Sequence, residues 1–169
     1  MNTNAKKRRA VSILTTVGGG LAAVVAVMGL GTSAAQATDF VPGSACAPAN
    51  GSTSAYVTVN GAIGNRSTSS ALVVSCPLVT TWTYSNIAAV VSATKNTTAT
   101  MSCTLVSRNF TNTSGATTSQ SLTGTGPKTF SLPSIAQNYF NSVRCNIPNA
   151  GSTNLASVSW VNGYYYWEF

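Results

Sequence analysis

Three segments of the chain share one pattern, and it leaves few folds open. In "TATMSCTLV", Ala99, Met101, Cys103 and Leu105 fall on one face, and Thr98, Thr100, Ser102 and Thr104 on the other. That is the period-two signature of a half-buried strand. "ALVVSCPLV" places Leu72, Val74, Cys76 and Leu78 in phase, and "YFNSVRCNIP" does the same for Val143, Cys145 and Ile147. Each strand carries its cysteine on the apolar face, where a bridge between two stacked sheets would need it. "NIAAVVSAT" is a further strand, joined to the Met101 strand by the short turn "KNT". No helical periodicity runs through residues 38–169. The expected fold is all-β, a single-domain antiparallel β-sandwich.

The fourth cysteine is Cys46. An even number of cysteines in an exported chain reads as two disulfides. Four cysteines allow three pairings, and spacing alone does not choose among them. Cys46–Cys76 with Cys103–Cys145 is favoured, because each bridge then ties distant strands. Each should contribute about 2–4 kcal/mol, mostly by restricting the unfolded chain. The chain has no histidine and no Cys-x-x-Cys spacing. A zinc site or a thioredoxin-like redox site is therefore not expected, and no metal or cofactor is assigned.

Export is read from the N-terminus. Lys6, Lys7, Arg8 and Arg9 precede an apolar stretch rich in Ala, Val, Leu and Gly, which closes on the small-x-small exit Ala35-Gln36-Ala37. Together these describe a secretory signal peptide over residues 1–37, with the β-sandwich domain over 38–169. The competing reading, a retained membrane anchor, is weakened by Thr15, Thr16 and Gly18 to Gly20 in the apolar stretch. Only such retention would give the protein a membrane association. Secreted or periplasmic localisation follows. The formal net charge of +7 also changes with the cut. Arg66, Lys95, Arg108, Lys128 and Arg144 remain against Asp39 and Glu168, so five minus two leaves +3. Five scattered basic residues do not make the concentrated basic face that nucleic acid requires, and no nucleic-acid partner is expected.

Two Asn-Gly pairs lie between strand-like runs: Asn60-Gly61 and Asn162-Gly163. Both residues tolerate positive φ, so each pair predicts a two-residue type I′ hairpin. "RNFTNTSGATTSQ" reads as a strand end and a loop, and "TGTGPK" as a turn before a short strand at "TFSLP". A hairpin at Asn162-Gly163 sorts the closing "VNGYYYWEF" into two faces, because directly opposed residues share a face. Ala156, Val158, Trp160, Tyr165, Trp167 and Phe169 form the expected core face. Ser157, Ser159, Val161, Tyr164, Tyr166 and Glu168 form the expected outer face. Tyr164 and Tyr166, about 7 Å apart by the strand rise, are candidate glycan contacts, with Trp82 and Tyr84 as a second aromatic pair. The competing reading is that the two tyrosines simply shelter the sheet. Glu168 is expected to pair with Arg108 or Arg144.

Most catalytic chemistry is hard to build from these residues. Without histidine the usual general base and the usual triads are missing. The two carboxylates of the mature chain lie at its extremes, whereas a glycosidase holds two about 5–10 Å apart. Lys95 and Lys128 lie in turn-like sequence, which does not suit a desolvated serine–lysine pair. Asn50, Asn65, Asn96, Asn109 and Asn112 head glycosylation sequons, which arise readily in a chain so rich in Asn, Ser and Thr.

The order of "ACAP", "VVSCPLV", "MSCTLV" and "RCNIP", followed by a closing strand with a near-terminal Glu, resembles small exported bacterial proteins that are mostly uncharacterised. The resemblance implies a two-disulfide β-sandwich without assigned catalytic residues. The leading expectation is a non-enzymatic exported protein that offers a surface for interaction. The alternatives are a carbohydrate-binding module using its exposed aromatics, and an inhibitor of an extracellular hydrolase with Arg108 to Gln120 as its binding loop. The expected partner is a glycan or an extracellular protein.

Overall fold

Alternating Val, Thr, Ile and aromatic residues give the chain strands along almost its whole described length. A computed structural model describes residues 36–37, 40–49, 56–81, 83–111 and 115–169. They form strands β1 (Gln36–Ala37), β2 (Val41–Pro42), β3 (Ala47–Pro48), β4 (Tyr56–Val59), β5 (Ala62–Asn65) and β6 (Leu72–Pro77). Then come β7 (Asn86–Lys95), β8 (Met101–Arg108), β9 (Gly115–Leu122), β10 (Gly126–Ala136), β11 (Phe140–Ile147) and β12 (Trp160–Glu168), with short 3-10 turns at Gly43–Ala45 and Leu155–Ser157. Apart from the backbone of Gln36 and Ala37, the expected signal segment lies outside the described residues, as does Trp82.

The strands make two antiparallel sheets packed together. One runs β10-β7-β12-β5-β4, with β1 and β2 also paired to β12; the other runs β3-β6-β11-β8-β9. Ile63, Ile87, Val91, Phe130, Leu132 and Val161 of the first sheet meet Leu72, Val74, Met101, Leu105, Val143 and Ile147 of the second in one buried core. The all-β sandwich expected from the alternating pattern is therefore present.

Both favoured disulfides are formed, Cys46–Cys76 and Cys103–Cys145. Their placement corrects the inter-sheet expectation, because both lie within the five-stranded sheet. Cys103 and Cys145 are direct cross-strand partners on β8 and β11, with Cα atoms 4.1 Å apart. Cys46 immediately precedes β3, which pairs with the Cys76 strand β6. The strand register decides the pairing, since closely opposed residues on neighbouring strands approach to about 4.5 Å, within reach of a disulfide. Two disulfides fit a chain that folds under oxidising conditions.

Other expectations change in the same way, from local to long-range pairing. "KNT" begins a passage from one sheet to the other rather than a hairpin turn, since β7 and β8 belong to different sheets. The stretch read as a loop contains β9, paired along its length with β8 from Met101↔Leu122 to Arg108↔Gly115. The short strand at "TFSLP" is part of β10, which pairs with β7 from Gly126↔Lys95 to Ala136↔Asn86.

The two Asn-Gly pairs behave differently. Asn60 and Gly61 have φ of 50° and 79° and close the β4–β5 hairpin, as predicted. Asn162 and Gly163 do not turn the chain. They lie inside β12, which continues along β7 with one register shift between Val161 and Gly163. Val161 faces Ala93 and Gly163 faces Ser92, so Asn162 is the extra residue of a β-bulge. The ten-residue β7 supplies one continuous ladder on both sides of the bulge, which outweighs the local preference for a turn. Gly163 is needed for a different reason: a Cβ there would lie 2.6 Å from Val41 O and overlap the Phe40 ring.

Candidate functional surface

The bulge decides which side chains of β12 a ligand could meet. It inverts the strand's facing after Val161, so Val161, Tyr164, Tyr166 and Glu168 all point into the core. Within β12 the grouping read from the sequence holds, but inside and outside are exchanged; Val158, ahead of the strand, is buried as expected. Tyr164 and Tyr166 are buried, and they cannot form the surface glycan platform expected of them. Trp160, Tyr165 and Trp167 are partly or largely exposed instead.

The inward residues grip the segment that leaves β6 for the other sheet. Tyr164 Oη donates to Pro77 O at 2.7 Å, and Tyr166 Oη donates to Val79 O at 2.6 Å. Thr81 then donates to Glu168 Oε2 twice, from its backbone N at 3.1 Å and from Oγ1 at 2.7 Å. Gln137 Nε2 donates to Glu168 Oε1 at 2.8 Å and to Thr81 O at 3.1 Å. Alternate residues of β12 thus hold alternate residues of 77–81, side chain to side chain or backbone, in one direction of travel. Burial pushes the Tyr164 hydroxyl up to about 12, and Tyr166 beside it adds to the shift. Burial raises Tyr166 as well, and the Glu168 carboxylate contributes.

Glu168 is therefore a buried structural acceptor rather than the exposed partner of an arginine. Arg108 and Arg144 project from the outer face of the five-stranded sheet, on the far side of it from the core. Tyr84 is half-buried in the passage between β6 and β7, and its expected partner Trp82 is outside the described residues. Nor does the stretch from Arg108 to Gln120 present one inhibitory loop, because Gly115 onward is committed to β9. Among the sequons, Asn65 is fully buried, and its Nδ2 reaches Ser70 O, Ile147 O and Pro148 O. A glycan cannot be carried there in the folded protein.

The outward faces carry what sequence reading missed. At one end of the five-stranded sheet, Phe110, Tyr139 and Phe140 are 75 %, 56 % and 56 % exposed. Their rings touch: Phe110 lies 6.1 Å from Tyr139, edge-on, and 6.4 Å from Phe140, stacked. An open groove of about 440 Å³ begins at Phe140 and runs over Val106, Ser142 and Ser75, with Arg108 and Arg144 in its walls. A second of about 390 Å³ continues over Thr104, Thr117 and Asn146 and is lined by the same two arginines. The cross-strand pairs Arg108↔Phe140, Val106↔Ser142 and Thr104↔Arg144 set this layout. On the outer face of the other sheet, Phe40 packs on Tyr165 at 5.1 Å and joins Trp160, Val59 and Ala62 around a more apolar hollow of about 450 Å³.

No family model and no curated protein matches the chain. Function must be argued from these surfaces.

The signal for the Phe110–Tyr139–Phe140 cluster was present in principle. Phe140 stands in the polar phase of its strand, opposite Val143, Cys145 and Ile147, and an aromatic residue in that phase marks an apolar spot facing water. Its neighbours could not be read, because Phe110 reaches it only through the β8–β11 pairing.

Proposed function

We propose that the protein is a non-enzymatic exported module that binds through the outer face of its five-stranded sheet. The observation that carries this reading is the three-ring cluster of Phe110, Tyr139 and Phe140, exposed beside the end of β8 and the start of β11, with Phe140 opening into the arginine-walled groove. Large side chains of low conformational entropy, exposed together beside arginine, are what contact sites are made of. The two disulfides stiffen the sheet beneath, which lowers the ordering cost of binding. The signal-peptide pattern and the disulfides together support export, and the short motifs support kinship with small exported bacterial proteins.

Carbohydrate binding is the second reading, favoured by the aromatic cluster itself, whose faces suit sugar rings. A hydrolase inhibitor has less support, since its expected loop is mostly paired strand. The deciding test compares wild-type protein with Phe110→Ala/Phe140→Ala in pull-downs from the producing organism and on a polysaccharide panel. Loss of retention at an unchanged melting temperature supports the surface. Equal retention by both proteins moves the contact elsewhere.

A further inference from the structure

We infer that the groove between Arg108 and Arg144 binds the acidic groups of an anionic polysaccharide, carboxylate or sulfate. The inference rests on reading this face as the contact surface and adds the chemical class of ligand. Five basic residues remain in the domain, and two of them stand on this one face. Arg108 and Arg144 are four cross-strand positions apart, about 13 Å along the strands at the usual rise. Both line both concavities, so both guanidinium groups belong to the walls of one continuous groove. The only side-chain carboxylate among the described residues is Glu168, buried on the inner side of the opposite sheet and held by Thr81 and Gln137, away from this face. Arginine forks match carboxylate and sulfate oxygens in paired hydrogen bonds, which a neutral sugar cannot return.

The rest of the surface argues for a polysaccharide over an acidic peptide. The floor is a row of hydroxyls, Ser75, Ser142, Thr104 and Thr117, able to donate to and accept from sugar hydroxyls. The rim offers the faces of Phe110 and Phe140 for stacking. Strand edges, which a peptide would pair with, are not what the groove presents: it lies on the face of paired β6, β11, β8 and β9.

The test is affinity electrophoresis of the oxidised protein in gels containing polygalacturonate, heparin or neutral dextran. Retardation by an acidic polymer and not by dextran is expected, and the first two gels separate carboxylate from sulfate recognition. Arg144→Gln should weaken binding about tenfold or more, as should Arg108→Gln. Arg144→Lys should restore only part of it, because charge returns without the fork. Lys128→Gln removes the same charge away from the groove and should change little. Equal weakening by Lys128→Gln and Arg144→Gln would mean diffuse attraction and would overturn the inference. So would retardation by dextran alone. If no acidic polymer binds but another ligand is captured in a Phe140-dependent way, the contact surface stands and the anionic class falls. If Phe110→Ala/Phe140→Ala and Arg144→Gln both leave all binding unchanged, the surface itself is wrong. Each variant is melted first, and Arg144→Lys replaces Arg144→Gln if that protein does not fold.

Discussion

Tyr164 is enclosed by the core yet ends in a hydroxyl, and its place in the fold depends on one bond to Pro77 O. Removing that hydroxyl leaves the carbonyl without its donor. Tyr164→Phe and Tyr166→Phe should each cost about 1–3 kcal/mol in denaturant melts, with little change in the folded structure. The same burial fixes a pH dependence. Tyrosine in the unfolded chain ionises near 10, while folded Tyr164 holds its proton to about 12. The stability this proton linkage supplies is complete below pH 10 and is lost as the pH rises through 12, because the unfolded state releases its proton first. Tyrosinate absorbance should therefore rise in two stages, with Tyr164 and Tyr166 titrating late. In the Tyr164→Phe variant the fall in stability over that window should shrink. Lys95 acts in the opposite direction. Burial, and then Lys128, lower it from 10.5, so its contribution improves as the pH rises toward that value.

At the scale of the element, the bulge in β12 is a switch of facing. Deleting Asn162 removes the extra residue and leaves Val161, Gly163 and Tyr164 in plain alternation against Ala93, Ser92 and Val91, with Val161 and Tyr164 still on one face. The deletion should therefore keep cooperative melting in calorimetry and lose chiefly the bond from Asn162 Nδ2 to Thr94 Oγ1, about 1 kcal/mol. Gly163→Ala tests the same element by crowding. Its methyl would overlap Phe40 and approach Val41 O, so destabilisation of about 1–3 kcal/mol is expected. Phe40→Ala should relieve only part of it, because the backbone oxygen remains. This element also shows what was legible in the sequence. A two-residue turn and a one-residue bulge both reverse the alternation, so the partition of "VNGYYYWEF" into two sets could be read correctly from either. Which set faces inward depends on β7, some seventy positions away in the chain, and no local pattern reports it. Periodicity likewise revealed β6, β7, β8 and β11, whose inner faces are apolar. It missed β9, where "GATTSQSL" alternates among small and polar side chains and offers little contrast. The arginine groove was unreadable for a related reason: Arg108 and Arg144 are 36 positions apart in sequence and share a face only through the β8–β11 register.

In the whole molecule, covalent reinforcement is uneven. Both disulfides belong to the five-stranded sheet, and they enclose chain separations of 30 and 42 residues. Each should contribute about 3–4 kcal/mol by the loop-entropy relation. Cys103→Ala/Cys145→Ala should lose that amount in denaturant melts. Removal of both bridges should cost other than the sum of the two, because β6 and β11 are direct neighbours. The seven-stranded sheet has no such ties among the described residues. It relies on pairing, on the core, and on the grip of Tyr164, Tyr166 and Glu168 on residues 77–81.

The position of β12 within that sheet has a temporal consequence. β7 with β10, and β4 with β5, are the two halves of the sheet, and β12 alone lies between them. A chain emerging amino end first, from a ribosome or a secretion channel, can pair each half early but cannot join them until residues 160–168 are out. Folding of this sheet is therefore vectorially gated: the unfinished chain stays threadable, and the finished one closes in a single late, long-range step. Such a step is intrinsically slow. A nascent chain stalled before Trp160 should remain sensitive to protease in both halves, and release of the last strand should protect them together.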